Sequence, residues 1–143
     1  MTSLWNIVLK SGGVHSVDIL IKEIPFEEAL SLKCAFKREH LKLRKTRKTV
    51  WLGAYYKGRL AGVCAFRRTK YGVKCKSDLV LEEFRGLGLY HRLFEKRLEH
   101  VLTLETDRVY AYCNRNSRPI YEKYGFTQKG RRKRYTCMEW KQP

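Results

Sequence analysis

Residues 79–90 read Leu79-Val80-Leu81-Glu82-Glu83-Phe84-Arg85-Gly86-Leu87-Gly88-Leu89-Tyr90, and this stretch decides the fold. Leu79-Val80-Leu81 is continuously apolar, which predicts the end of a fully buried central strand over 73–81. Over 85–104 the apolar residues Leu89, Tyr90, Leu93, Phe94, Leu98, Val101 and Leu102 fall on one helical face, with Arg92, Glu95, Lys96 and Glu99 on the other. A strand, a turn holding Gly86 and Gly88, and a helix packed on a sheet therefore follow one another. The first N–H groups of that helix have no partner within it and stand at the positive end of its dipole, so the turn suits a phosphate. No Gly-Lys-Ser/Thr follows, and Gly-Leu-Gly-Leu-Tyr stops short of the dinucleotide fingerprint, which disfavours an ATPase and a Rossmann dehydrogenase. A turn whose glycines serve only to pack helix on strand accounts for the same string.

Upstream, 50–56 and 60–66 are rich in β-branched and aromatic residues and are joined by Lys57-Gly58, which predicts a hairpin, and Tyr71-Gly72 marks the next turn. The apolar run 17–24 predicts an earlier strand ended by Pro25. That proline also suits the first position of a helix in which Phe26, Ala29, Leu30, Leu32, Cys34, Ala35 and Phe36 recur at helical spacing and which runs into the basic stretch 37–48. A short strand or arm is expected at 5–9. Downstream come a strand over 108–113, a short helix over 117–124 closed by Gly125, and a last hairpin over 126–140 interrupted by the basic run 129–134. The order predicts an α/β (α+β) protein, a mixed sheet with helices on both faces. At 143 residues the chain is expected to form one domain, 1–143.

Thirty-one Lys and Arg against 14 Asp and Glu give a formal charge of +17, more than solubility requires, and point to a polyanionic partner or to a merely basic surface. No apolar run approaches the ~20 residues that cross a bilayer, so no membrane association and a cytoplasmic location are expected. Cys34, Cys64, Cys75, Cys113 and Cys137 form no Cys-x-x-Cys pair, which fits a reducing compartment, and His91 and His100 lack a ligand-spaced partner, so no metal is expected.

Two segments resemble the GNAT superfamily of acyl-CoA-dependent N-acyltransferases. Leu79-Val80-Leu81-Glu82-Glu83-Phe84-Arg85-Gly86-Leu87-Gly88-Leu89-Tyr90 is similar to the family's [RQ]-x-x-G-x-[GA] pyrophosphate motif after a central strand, with Arg85 and Gly88 in the matching places. Asn114 through Phe126, with Tyr121-Glu122-Lys123-Tyr124-Gly125-Phe126, is similar to its N-x6-Y-E-K-x-G-F segment. The resemblance implies a mostly antiparallel central sheet with splayed central parallel strands, and an acetyl-CoA or other acyl-CoA donor. It further implies that Leu79, Val80 and Leu81 offer backbone groups to the pantetheine arm and that Asn114 contacts it. Arg85, Gly86, Leu87, Gly88, Leu89 and Tyr90 would hold the pyrophosphate, with Tyr90 departing from the family's small residue. Tyr121 would be the general acid on the leaving thiolate; an ordinary phenol, with a pKa of about 10, carries the proton at neutral pH. Asp78 is the first candidate for the base that deprotonates the acceptor amine, ahead of Glu82, Glu83 and His40.

The basic residues gather in three places: Lys42, Arg44, Lys45, Arg47 and Lys48; Arg67 and Arg68 in the basic hairpin 67–76; and Arg131, Arg132, Lys133 and Arg134. In the resembled fold the first and last of these segments border the acceptor side. The leading expectation is an acceptor amine on a nucleic acid, DNA before RNA, as in the phage Mom-type DNA-modifying proteins; a base in duplex DNA would have to leave the stack. Tyr55, Tyr56, Tyr71 and Tyr135 are candidates to stack on it. The alternatives are a protein lysine or N-terminal acetyltransferase, and a catalytically inactive nucleic-acid-binding module, in each case as a monomer or homodimer.

Overall fold

The structure, a computed structural model, describes residues 18–141. The element expected at 5–9 lies outside them. Strand β1 (Ile19–Ile24) stops at Pro25, and the next segment winds as α1 (Phe26–Ala29), a 3-10 turn (Leu30–Leu32) and α2 (Lys33–Arg38). The single long helix expected here is therefore broken. Ala29, Leu32 and Ala35 are all buried at a spacing of three, and the three-residue period of a 3-10 turn keeps them on one line facing the sheet. His40 adopts the left-handed conformation (φ 57) at the end of α2, and the basic stretch beyond it is not helical. Leu41 and Leu43 pack on the core at a spacing of two, as extended chain does.

Strands β2 (Thr49–Tyr56), β3 (Arg59–Thr69) and β4 (Gly72–Val80) follow as an antiparallel meander, then a 3-10 turn (Glu82–Phe84), α3 (Leu89–Leu102), β5 (Arg108–Cys113), α4 (Arg118–Lys123), β6 (Thr127–Arg132) and β7 (Tyr135–Lys141). Helix α3 begins later than expected, at Leu89, because Gly88 holds the left-handed conformation (φ 79) at its cap. The last turn is also shorter than expected, since residues 129–132 of the basic run belong to β6 and the turn falls at Lys133 (φ 57) and Arg134.

All seven strands form one sheet in the order β1-β2-β3-β4-β5-β7-β6. Every pairing is antiparallel except β4 with β5, which run parallel and pair only at Val73↔Val109 and Lys74↔Tyr110. Beyond Lys74 the two strands part. The α1–α2 segment covers one face of the sheet through Trp51, Val63, Ala65 and Leu79. Helices α3 and α4 cover the other through Phe66, Val73, Cys75, Ala111 and Met138 around Phe94, Leu98 and Tyr121. Helices on both faces of a mostly antiparallel sheet with one splayed parallel pair are the expected architecture.

Candidate active site

Where β4 and β5 diverge, a cavity of about 640 Å³ opens through the sheet. Glu39 and Leu41 line it from the α2 side, Gly86, Gly88, Leu89, Tyr90 and His91 from the start of α3, and Asp78, Leu79, Val80, Asn114 and Ser117 from the two strands and the loop after β5. The splayed strands leave main-chain groups without a neighbouring strand. Leu81 N–H donates to the Ala61 carbonyl at 2.8 Å, so in the antiparallel alternation Val80 turns its own N–H and C=O away from β3 toward the gap.

Gly86 (φ 86) and Gly88 (φ 79) hold a conformation that L side chains rarely adopt, and a Cβ at either would meet nothing within 4 Å. The loop is open space edged by the free N–H groups of α3, which fits a pyrophosphate. Leu89 is a core residue with its side chain turned inward, and Leu87 is exposed at 44%. Arg85 is engaged elsewhere: its Nε donates to the Val80 carbonyl at 3.0 Å and its Nη2 to Glu39 at 2.8 Å, so it ties the end of β4 to α2 across the cavity mouth.

Asn114 lines the cavity, and its Oδ1 accepts from the Asn116 and Ser117 N–H groups, each at 2.9 Å, shaping the turn into α4. Its amide nitrogen makes no hydrogen bond among the described residues. Tyr121 lies beneath this turn, 2% exposed, with its ring packed edge-on against Phe94 (4.8 Å) and Phe126 (5.1 Å). Its hydroxyl donates to Asp78 Oδ2 at 2.9 Å and accepts from Arg97 Nη2 at 2.9 Å.

Arg97 was not among the residues singled out from the sequence. It is fully buried and grips Asp78 with both Nη atoms, at 2.5 and 2.8 Å, while Nη1 also donates to the carbonyls of Ala65 and Lys76. Tyr90 adds a further donor to Asp78 Oδ2 at 2.5 Å. The bulky side chain at the sixth motif position is thus tied into the centre of the site. Asp78 Oδ2 accepts three hydrogen bonds and Oδ1 one, which is close to the full capacity of a carboxylate. Burial pushes the Tyr121 and Tyr90 phenols well above their ordinary range, with the charge of Asp78 adding to both, so each keeps its proton. Burial alone would weaken the Arg97 charge, but Asp78 and the Tyr121 oxygen outweigh it and the guanidinium stays ionised.

Of the other expected groups, Glu82 and Glu83 are exposed, with Glu83 3.6 Å from Arg59, and His40 is exposed at the end of α2. Among the described residues no group of three His, Cys, Asp or Glu side chains is placed to hold a metal, and no helix is long and apolar enough to cross a membrane. The basic residues do not act as one set. Lys45 is paired with Glu27 at 3.0 Å and Arg68 bonds the Leu104 carbonyl, whereas Arg44, Arg67 and Arg132 come together with Lys74 and Lys76. Lys42, Arg47, Lys48, Arg131, Lys133 and Arg134 are exposed. Of the expected stacking residues, Tyr55 bonds Glu28, Tyr56 packs edge-on against Phe84, and Tyr71 and Tyr135 carry Lys70 and Arg134 over their rings.

The Acetyltransferase (GNAT) domain family matches residues 25–139, and the chain belongs to that family of N-acyltransferases. No curated protein sequence gives a significant match. Solved structures with the same fold include the PaiA N-acetyltransferase of Thermoplasma acidophilum in complex with coenzyme A (15% identity, TM-score 0.66, 87% of this chain and 99% of that one). They also include Arabidopsis thaliana Naa50 in complex with the bisubstrate analogue CoA-Ac-MVNAL (18%, 0.67, 88% and 100%). An acyl-CoA N-acyltransferase of Pseudomonas aeruginosa is similar as well (21%, 0.65, 87% and 99%).

Proposed function

We infer that the protein is an acyl-CoA-dependent N-acyltransferase that works as one domain and modifies an amine carried by a nucleic acid. The observation that carries the chemistry is the buried cluster of Tyr121, Asp78 and Arg97 at the junction of the splayed strands. Coenzyme A supplies an activated thioester and a thiol leaving group; the glycine loop, the start of α3 and the Val80 main chain are the groups that would hold it, and the cavity has the room. In the transfer a C–N bond forms to the acceptor nitrogen, the C–S bond breaks, and one proton must reach sulfur. Tyr121 holds that proton on its hydroxyl. Arg97 stabilises the oxygen as the proton leaves, and the hydroxyl, which at rest donates to Asp78, turns its proton from Asp78 to sulfur in the transfer. With its lone pairs taken, Asp78 positions Tyr121, while the proton released by the amine passes to water in the open cavity and Tyr121 regains from water the proton it gives to sulfur.

The cationic character of the chain supports a nucleic-acid acceptor. A peptide amine is the second reading, favoured by the peptide-bearing analogue bound to the Arabidopsis structure. The five unpaired cysteines suit a reducing, cytoplasmic setting. The test is mass spectrometry of nucleosides from nucleic acid incubated with the protein and acetyl-CoA, beside the Tyr121→Phe variant. The variant keeps the ring packing and loses the proton. Turnover should fall by about 10²–10⁴-fold with coenzyme A affinity retained. Unchanged turnover would remove Tyr121 from its role, and a modified peptide with no modified nucleoside would move the acceptor to protein.

A further inference from the structure

The sheet face opposite α3 is only partly covered. The α1–α2 segment packs on Trp51, Val63, Ala65 and Leu79, toward one end of the central strands. Toward the other end the side chains that alternate outward from the core residues Phe66, Val73, Cys75 and Ala111 are Arg67, Lys74, Lys76 and Tyr112. Arg67 stands opposite Lys74 in the β3–β4 register, and Lys74 stands opposite Tyr110 in β4–β5. Arg132 from the end of β6 adds its charge beside Lys74, and Arg44 from the loop after α2 beside Lys76. Tyr112 is exposed, with the Lys74 ammonium 5.2 Å and the Arg132 guanidinium 5.8 Å from its ring centroid.

These five cations lack acidic partners. Among the described residues none of them forms a salt bridge, and Glu139 on the same face is already held by Arg108 at 2.8 Å and Lys141 at 3.5 Å. Arg67 Nε is buried with no hydrogen-bond partner. Burial lowers the pKa of the Lys74 and Lys76 ammonium groups, and the neighbouring cations lower them further. The chain does not supply a neutralising segment of its own from residues 1–17, which contain no Asp or Glu. Two cations over an exposed aromatic ring, with three more beside them, therefore favour an anionic partner that also has flat faces.

We propose that this face is a binding platform for a single-stranded polynucleotide, with an unpaired base stacked on Tyr112 and its flanking phosphates on Arg44, Arg67, Lys74, Lys76 and Arg132. The platform leads to the cavity along both strands. Lys76 lies two residues before Asp78 on β4, and Tyr112, on β5, two residues before Asn114 in the loop that follows. The cavity reaches this face through Glu39 and Leu41. A strand lying on the platform delivers a neighbouring unpaired base into the gap with no duplex to open. Its use as the acceptor rests on the function inferred above; the binding itself does not.

The experiment is fluorescence anisotropy of labelled 12-nucleotide single-stranded DNA, the RNA of the same sequence, and the 12-base-pair duplex, titrated with the full chain between 50 and 200 mM KCl. Both single strands should bind at least about 10-fold more tightly than the duplex, with a log–log salt slope of about −3 for four to five neutralised phosphates. Tyr112→Ala should weaken single-strand binding by about 5- to 150-fold without changing the slope, and Tyr112→Phe should bind as the native chain does. Lys74→Ala should make the slope shallower by about 0.7. Equal binding of duplex and single strand, or equal losses in Tyr112→Ala and Tyr112→Phe, would overturn the platform. Tight single-strand binding with no acylated nucleoside would instead overturn the acceptor reading and leave the platform standing.

Discussion

Arg97→Met tests the centre of the site. The substitution keeps an unbranched side chain of similar length, compatible with α3, where Arg97 runs beside Phe94 and Tyr121. It removes both Nη contacts to Asp78, the donor to Tyr121, and the donors to the Ala65 and Lys76 carbonyls. Asp78 would be left 8% exposed with only two phenols to hold its charge. Breaking a buried ion pair from one side costs about 3–5 kcal/mol, far more than the pair contributes over a neutral replacement. With a urea m-value of about 2 kcal/mol/M, the unfolding midpoint should fall by about 2 M. Trp51, 3% exposed in the folded chain, reports unfolding by fluorescence. Adding Asp78→Asn removes the stranded charge while leaving an oxygen for the phenols, so the double variant should be less destabilised than the sum of the two single variants by about 2 kcal/mol. A loss below about 1 kcal/mol for Arg97→Met, or singles that simply add, would show that water reaches the pair and that Tyr121 is not oriented by a buried charge couple.

Gly72→Ala should open the apex of the splayed strands: a Cβ there would sit 2.4 Å from the Arg108 carbonyl oxygen at φ 128, so β4 must move away from β5. The expected loss is at least about 2 kcal/mol, with faster hydrogen exchange at Val109 and Tyr110, and native exchange there would refute the close approach. Burial would raise the Glu139 carboxyl pKa, but Arg108 and Lys141 hold it below its ordinary 4.5. A lowered carboxyl contributes stability above its unfolded pKa and loses it as pH falls through the folded one, so stability should decline in acid below about 4.5. Glu139→Gln should cost about 1–3 kcal/mol at pH 7 and flatten that acid limb in pH-dependent urea titrations, whereas an unchanged limb would assign it to other carboxylates.

The order of strands and helices was legible because most elements carry a clean period: α3 repeats its apolar residues at helical spacing, and β2 and β3 flank a short turn. The break in the first helix is not legible because Ala29, Leu32 and Ala35 fit both a 3.6-residue and a three-residue winding, and only packing on Trp51 and Val63 chooses between them. The glycine loop and Tyr121 were readable from motif spacing. Arg97 does carry a signal in the sequence. It sits three and four residues from Phe94 and Leu93 and from Val101, inside the apolar stripe, where an unpartnered arginine would be untenable. Tyr112 is not legible because every residue from Val109 to Cys113 is apolar or aromatic, so alternation gives no sign of which side stays open to solvent.

The position of Asp78 depends on one extra residue. Val73 and Cys75 face α3, so strict alternation would send Ser77 to that side and Asp78 to the opposite one, away from Arg97. The β3–β4 register instead jumps from Ala65↔Lys76 to Val63↔Leu79, placing both Ser77 and Asp78 against Cys64. Ser77 absorbs the extra residue in the left-handed conformation, at φ 61. This bulge inverts the phase of everything after it: Asp78 reaches Arg97 and Tyr121 on the α3 face, and Leu79 packs with Trp51 and Val63 on the other. Before the bulge the same strand turns Lys74 and Lys76 to the open face. One strand thus turns Lys74 and Lys76 to one side and Asp78, the partner of Arg97 and Tyr121, to the other. The short parallel pairing with β5 leaves between them the cavity that Asp78 and the start of α3 line.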